Sequence, residues 1–142
     1  MTDLNFTNYA KLVAVPAKLV DGGEYGGRAR NLYDEYATLG SELVGDKLFC
    51  GYVDPGERVT DGWVLYGALG TSTTLKLGDA SDDDRFVVAT ATNVAGVTRF
   101  TAATGLGWKN TGVDRLPIFL TVGGATLAAG QAVRVFLQIA RD

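Results

Sequence analysis

Ala132-Val133-Arg134-Val135-Phe136-Leu137-Gln138-Ile139-Ala140 is the stretch that decides the fold class. Val133, Val135, Leu137 and Ile139 alternate with Arg134, Phe136 and Gln138. A period of two gathers those four aliphatics on one face only if the backbone is extended. Wound as a helix, the same residues would scatter their apolar groups around the axis. Leu116–Val122 is a second strong strand despite Pro117 near its start. Val59–Leu69 sets Trp63 and Leu65 on one face and Val64 and Tyr66 on the other.

Earlier in the chain the signals are shorter. Lys47–Val53 reads as a strand that stops at Asp54-Pro55-Gly56-Glu57, where Pro and Gly occupy the central positions of a type II turn. Asn31–Leu39 alternates Leu32, Asp34 and Tyr36 against Tyr33, Glu35 and Ala37. Thr71–Gly78 alternates cleanly, Asp79–Asp84 is a polar loop, and Arg85–Thr92 suits a strand or a short helical turn. Val97–Ala102 and Gly107–Lys109 are short candidates. The 19 glycines in 142 residues are about twice the usual share. They sit at turn-like intervals without a repeat period, as many short strands require. The expectation is an all-β chain, a β-sandwich or jelly roll of seven to nine short antiparallel strands.

Residues 1–27 differ. Leu12-Val13-Ala14-Val15-Pro16-Ala17-Lys18-Leu19-Val20 is apolar but interrupted by proline, which blocks a helix and confines a strand to a sheet edge. Asp21-Gly22-Gly23-Glu24-Tyr25-Gly26-Gly27 follows as a flexible hinge. The sequence divides into an extended N-terminal arm and hinge, residues 1–27, and a sandwich domain, residues 28–142. An edge strand of the same sandwich stands as the alternative for the apolar run. As an arm, its Leu12, Val13, Val15, Pro16, Leu19 and Val20 are partner-binding candidates, together with Arg28 and Arg30.

Chemistry is conspicuous by its missing parts. With no histidine, the chain lacks the base of Ser-His-Asp and Cys-His systems and the commonest zinc and iron ligand. Cys50 is the single cysteine, so no internal disulfide forms; flanked by Phe49 and Tyr52 apart from Gly51, it reads as a small core hydrophobe rather than a reactive thiol. Gly67–Ser72 lacks the lysine of a phosphate-binding loop, and Gly105-Leu106-Gly107 lacks the third glycine of a dinucleotide motif. Asp79, Asp82 and Asp84 are the metal candidates, since calcium takes oxygen ligands from flexible loops. Their spacing is not that of an EF-hand, and a solvated loop is the plainer reading, with Asp83 or Asp84 paired to Arg85. Asp34, Glu35, Glu57 and Asp61 are available to a glycosidase, but sequence brings no two of them together. Trp63, Trp108, Tyr66 and Tyr52 fit either core filling or a sugar-stacking platform.

A net charge of −3 opposes a nucleic-acid surface. No apolar run approaches the ~20 residues that cross a bilayer, and Met1–Tyr9 lacks the basic and apolar regions of a signal peptide. The expectations are therefore no enzyme, no cofactor, no metal, no nucleic acid, no membrane, and synthesis in a cytoplasm.

Several turn and hairpin motifs together carry a resemblance. Asp54-Pro55-Gly56-Glu57-Arg58-Val59-Thr60-Asp61-Gly62-Trp63 is followed by Leu69-Gly70-Thr71-Ser72-Thr73-Thr74-Leu75-Lys76-Leu77-Gly78-Asp79. Then come Asp84-Arg85-Phe86-Val87-Val88-Ala89-Thr90 and Thr121-Val122-Gly123-Gly124-Ala125-Thr126-Leu127-Ala128-Ala129-Gly130, with Gly26-Gly27-Arg28-Ala29-Arg30 leading into the first strand of the body. The set resembles small tailed-bacteriophage capsid decoration, cement or head-stabilisation proteins. The resemblance implies a virion component on the capsid surface, made in the bacterial host cytoplasm. It also implies the major capsid protein as partner and a homo-oligomer, dimer or trimer, but transfers no active-site residue. A carbohydrate- or host-surface-binding module and a tail- or portal-associated part are the alternatives.

Overall fold

The computed structural model describes residues 28–100 and 104–141. Eight strands are present among them: β1 (Arg28–Ala37), β2 (Lys47–Val53), β3 (Glu57–Tyr66), β4 (Thr74–Gly78), β5 (Val87–Ala91), β6 (Gly96–Arg99), β7 (Leu116–Gly123) and β8 (Ala132–Arg141). One sheet has the order β1-β8-β3-β6 and the other β2-β7-β4-β5, with every neighbouring pair antiparallel. Each strand of the first half pairs with its mirror image in the second: β1 with β8, β2 with β7, β3 with β6, β4 with β5. That is a long hairpin rolled up on itself, the jelly roll, with β8–β3 and β7–β4 pairing closing the roll.

Period-two patterning builds the core as the sequence implies. Val133, Val135, Leu137 and Ile139 of β8 are all buried and face Leu75, Leu77, Ile118, Leu120 and Val122 of the opposing sheet. The Asp54–Glu57 turn forms with a Glu57 N–H donating to the Asp54 carbonyl at 3.1 Å and Gly56 at φ +84°, the left-handed conformation a type II turn demands. Arg85–Thr92 resolves as a strand, β5, and the segment at Gly107–Lys109 contributes only an isolated bridge, Arg58 to Lys109.

Register slips are the feature that alternation alone does not reveal; one lies between Leu75 and Leu77 in the β4–β5 pair, and two others redirect side chains. The β2–β7 register slips between Phe49 and Gly51, so Cys50 is an extra residue that turns inward. Parity reverses beyond it: Leu48 and Cys50 point into the sandwich, then Val53 rather than Tyr52, which is left 48% exposed. In β3 the slip between Val59 and Asp61 likewise carries the inward face from Glu57 and Val59 to Gly62, Val64 and Tyr66. The arm candidates Leu12, Val13, Val15, Pro16, Leu19 and Val20 lie outside the described residues.

Candidate interaction surfaces

The loop Asp79–Asp84 is an internal knot. Asp79 is fully buried; its carboxylate accepts the Arg85 Nε at 2.6 Å, the Ser81 hydroxyl at 2.7 Å, and the backbone N–H groups of Ser81 and Asp82. Burial opposes its ionisation, but the Arg85 guanidinium and the Ser81 donors outweigh that and hold the carboxyl below its usual range. Asp84 bonds to Asp82, which pushes its carboxyl up, while Asp83 takes Lys76 at 2.7 Å. The solvated-loop reading therefore fails for Asp79, because five neighbouring donors make it the loop's anchor. Arg85 pairs with Asp79, and with Asp82 at 3.9 Å, rather than with Asp83 or Asp84. Asp79, Asp82 and Asp84 do not converge, and the described residues hold no group of three or more His, Cys, Asp or Glu placed to bind a metal ion.

Arg30, expected to reach a partner, is engaged at home. It clasps buried Glu57 through Nε at 3.1 Å and Nη2 at 2.5 Å, bridging β1 to β3. The fork geometry of guanidinium on carboxylate suits a charge held at 1% exposure. Of Arg28 only the strand position, opposite Arg141, is described. Cys50 is buried, and burial first, then the charge of Asp34, pushes its thiol up to about 12. It is the core hydrophobe expected, without thiolate chemistry at neutral pH.

Three surfaces stand out among the described residues, beside single exposed valines at Val88, Val94 and Val97 on the β5/β6 side. The first is a loop, residues 38–46, that exposes Leu39 (73%), Leu43 (61%) and Val44 (59%). Its shape is fixed from beneath. Buried Glu42 accepts the Leu39 N–H at 2.6 Å, the Gly40 N–H at 3.0 Å and the Tyr36 hydroxyl at 2.8 Å. Burial works against the Glu42 charge, yet these donors keep its carboxyl below the usual range. Asp46 accepts the Leu43 N–H, and Gly45 donates to the Val122 carbonyl. A rigid loop that holds three aliphatics in water is what a docking tip requires.

The second surface is an aromatic row on the outer face of the β1-β8-β3-β6 sheet. Register places Tyr33 beside Phe136, Phe136 beside Trp63, and Trp63 beside Arg99, spanning all four strands. The Tyr33 and Phe136 rings stand 4.8 Å apart. Arg99 is held by Asp61 at 2.7 Å. The candidate aromatics thus divide. Tyr66 and Trp108 pack against the core, Trp108 beneath Arg85 at 4.6 Å, whereas Trp63 and Tyr52 face out.

The third is the lateral edge where β1 lies over β2. The two sheets part there around a cleft of about 240 Å³. Leu48, Cys50, Leu120, Val133 and Val135 form its apolar floor. Asp34, Glu35 and Tyr36 form one rim and Phe49, 63% exposed, the other. The loop 38–46 was missed at the sequence level because Leu39 was assigned to a strand. Its signal was present, Leu43 and Val44 between Gly40 and Gly45 with Leu39 just before them, outside any alternation.

No protein-family model and no curated protein matches this sequence. Solved structures do match the fold. A chain in the capsid asymmetric unit of cyanophage Pam1 superposes with a TM-score of 0.73 at 23% identity, covering 91% of this chain and 96% of that one. A chain in the capsid of Ralstonia phage GP4 gives 0.70 at 19% identity, covering 82% and 86%. The acid-stable capsid of Helicobacter pylori bacteriophage KHP30 gives 0.55 at 9%, covering 79% and 86%. The class that fold and surfaces define is a jelly-roll sandwich of the kind found in phage capsid structures. Within that class the Pam1 and GP4 chains are similar to this one over nearly their whole length, rather than over one domain of a larger subunit.

Proposed function

We propose that this chain is a virion structural protein that decorates a phage capsid, binding the outer surface of the major capsid protein and cementing the shell. The observation that carries the reading is the near end-to-end superposition on chains of similar length from phage capsids. Length matters because a chain this small supplies one sandwich, suited to covering a shell that larger subunits build. The open surfaces support it: the aliphatic loop at Leu39, Leu43 and Val44, and the open β1/β2 edge, offer docking area without a catalytic cleft. The role is structural rather than enzymatic, and it needs no cofactor.

Cementing follows from mass action. A protein that binds only assembled shell stabilises that state, and many copies on symmetric sites multiply modest contacts. The arm, residues 1–27, adds to this by laying Leu12–Val20 along a neighbour in the strand-addition mode. Deleting Met1–Val20 leaves a folded sandwich whose occupancy on phage heads collapses; unchanged occupancy by sedimentation with heads would refute the arm's part.

One observation favours a second reading, recognition of a host-surface carbohydrate. The row Tyr33–Phe136–Trp63 is a flat, partly exposed aromatic platform with polar neighbours Asn31 and Gln138. Polysaccharide titration that shifts tryptophan emission, abolished by Trp63→Ala, would favour that role; an unmoved spectrum leaves the capsid role standing.

A further inference from the structure

The loop of residues 38–46 commits a buried charge to its own shape. Glu42 is 4% exposed, and its carboxylate accepts from three neighbouring donors: the Leu39 N–H and the Tyr36 hydroxyl at Oε1, and the Gly40 N–H at Oε2. Burying a carboxylate is unfavourable unless its oxygens are engaged, so this clasp fixes where the surrounding backbone lies.

Backbone bonds anchor the two ends of the loop independently of that side chain. Thr38 donates to the Gln131 carbonyl and accepts from the Gly130 N–H, while Gly45 donates to Val122 and Val122 donates to Asp46. The Glu42 carboxylate supplies the acceptors for the Leu39–Gly40 backbone between those anchors.

What the clasp presents is apolar. Leu39, Leu43 and Val44 point into water, Glu42 turns inward, and Asp46 accepts the Leu43 N–H at 2.8 Å. The chain enters β1 at Arg28, whereas the loop follows Ala37 at the other end of that strand, roughly 30 Å away. A loop ordered before contact loses less freedom on binding, so pre-shaping favours affinity.

We propose that the 38–46 loop docks this chain on the shell, with an apolar patch of the major capsid protein receiving Leu39, Leu43 and Val44, and that Glu42 is the positioning residue of the loop. This rests on the capsid-decorating reading and names the surface that serves it. The three aliphatics touch the partner; Glu42 acts through Leu39 and Gly40.

Glu42→Gln is the variant that tests the clasp. An amide keeps the size of the side chain but brings an N–H donor to a point where three donors already converge. In the full-length chain, amide hydrogen exchange at Leu39 and Gly40 should quicken about tenfold or more, while β8 amides keep their protection. Affinity for phage heads assembled without this chain should fall about tenfold or more, as it should for Leu43→Ser and Val44→Ser. Asp79→Asn loses stability elsewhere in the sandwich yet should bind heads like wild type, which separates positioning from a general loss of stability. Should Glu42→Gln fail to fold, the two exposed serine variants still test the surface.

Glu42→Gln that binds like wild type, or exchanges like wild type at Leu39 and Gly40, overturns the positioning role. Leu43→Ser and Val44→Ser that both bind like wild type overturn the docking surface while the capsid reading stands. A wild type that binds no heads overturns that reading and this inference together.

Discussion

At the β5/β6 edge of the sandwich, Phe86 and Phe100 are fully buried and stack at 5.5 Å, while Trp108 closes edge-on against Phe86 at 6.0 Å. At the β1/β2 edge the same two sheets part around an apolar cleft, with Phe49 and Tyr52 left in water. The first edge is sealed by aromatic rings and by the Asp79–Arg85 knot; the second has an acidic rim and no covering side chain among the described residues. One edge therefore carries aromatic packing beneath its exposed Val88, Val94 and Val97, and the other parts around an apolar cleft.

The difference can be broken from the sealed side first. Phe100→Ala removes a ring stacked in the core and lowers unfolding free energy by about 3–5 kcal/mol in denaturant melts. Asp79→Asn takes the charge from a carboxylate that organises Arg85 and Ser81; its cost is about 2–3 kcal/mol. The same residue predicts a pH dependence. Asp79 and Glu42 both have carboxyl groups held below their ordinary values of 3.8 and 4.5. The stability they contribute is fully present above those values and is lost as pH falls through the lower, folded ones. Thermal melts from pH 6 downward should show that decline, and Asp79→Asn should flatten it.

The open side should respond in the opposite sense. Phe49→Ala changes stability by less than about 1 kcal/mol, since the ring is mostly in water and only its edge meets Phe119 at 5.2 Å. Leu43→Ser, on the exposed loop, has a smaller effect still on melting, yet lowers occupancy on phage heads. A Phe49→Ala variant as damaged as Phe100→Ala would erase the contrast between the edges.

Much of the fold was legible because it rests on local pattern. The β8 alternation and the Pro55-Gly56 turn each state their geometry in adjacent residues, whereas the hairpin expected at Gly123-Gly124 is a crossing between sheets, β7 pairing with β2 and β4 and β8 with β1 and β3; at Gly124, φ +76°, a Cβ would meet the Ser72 carbonyl. Sheet order was not legible, since β1–β8 pairing joins residues at opposite ends of the described chain. Bulges hid too, because one extra residue at Cys50 reverses which of Tyr52 and Val53 is buried. For the same reason the Asp79–Arg85 and Arg30–Glu57 pairs were hidden in the sequence, since they depend on residues reaching one another in space. The arm candidates from Leu12 to Val20 remain a reading of sequence and proposal.

The most direct measurement of the central claim is cosedimentation of the purified full-length chain with phage heads assembled without it, set beside unassembled capsid subunits. Saturable binding to heads, absence of binding to free subunits, and a raised disruption temperature of the decorated heads are the predicted result. Binding to neither, or binding that leaves the heads no more resistant to heat, would contradict it.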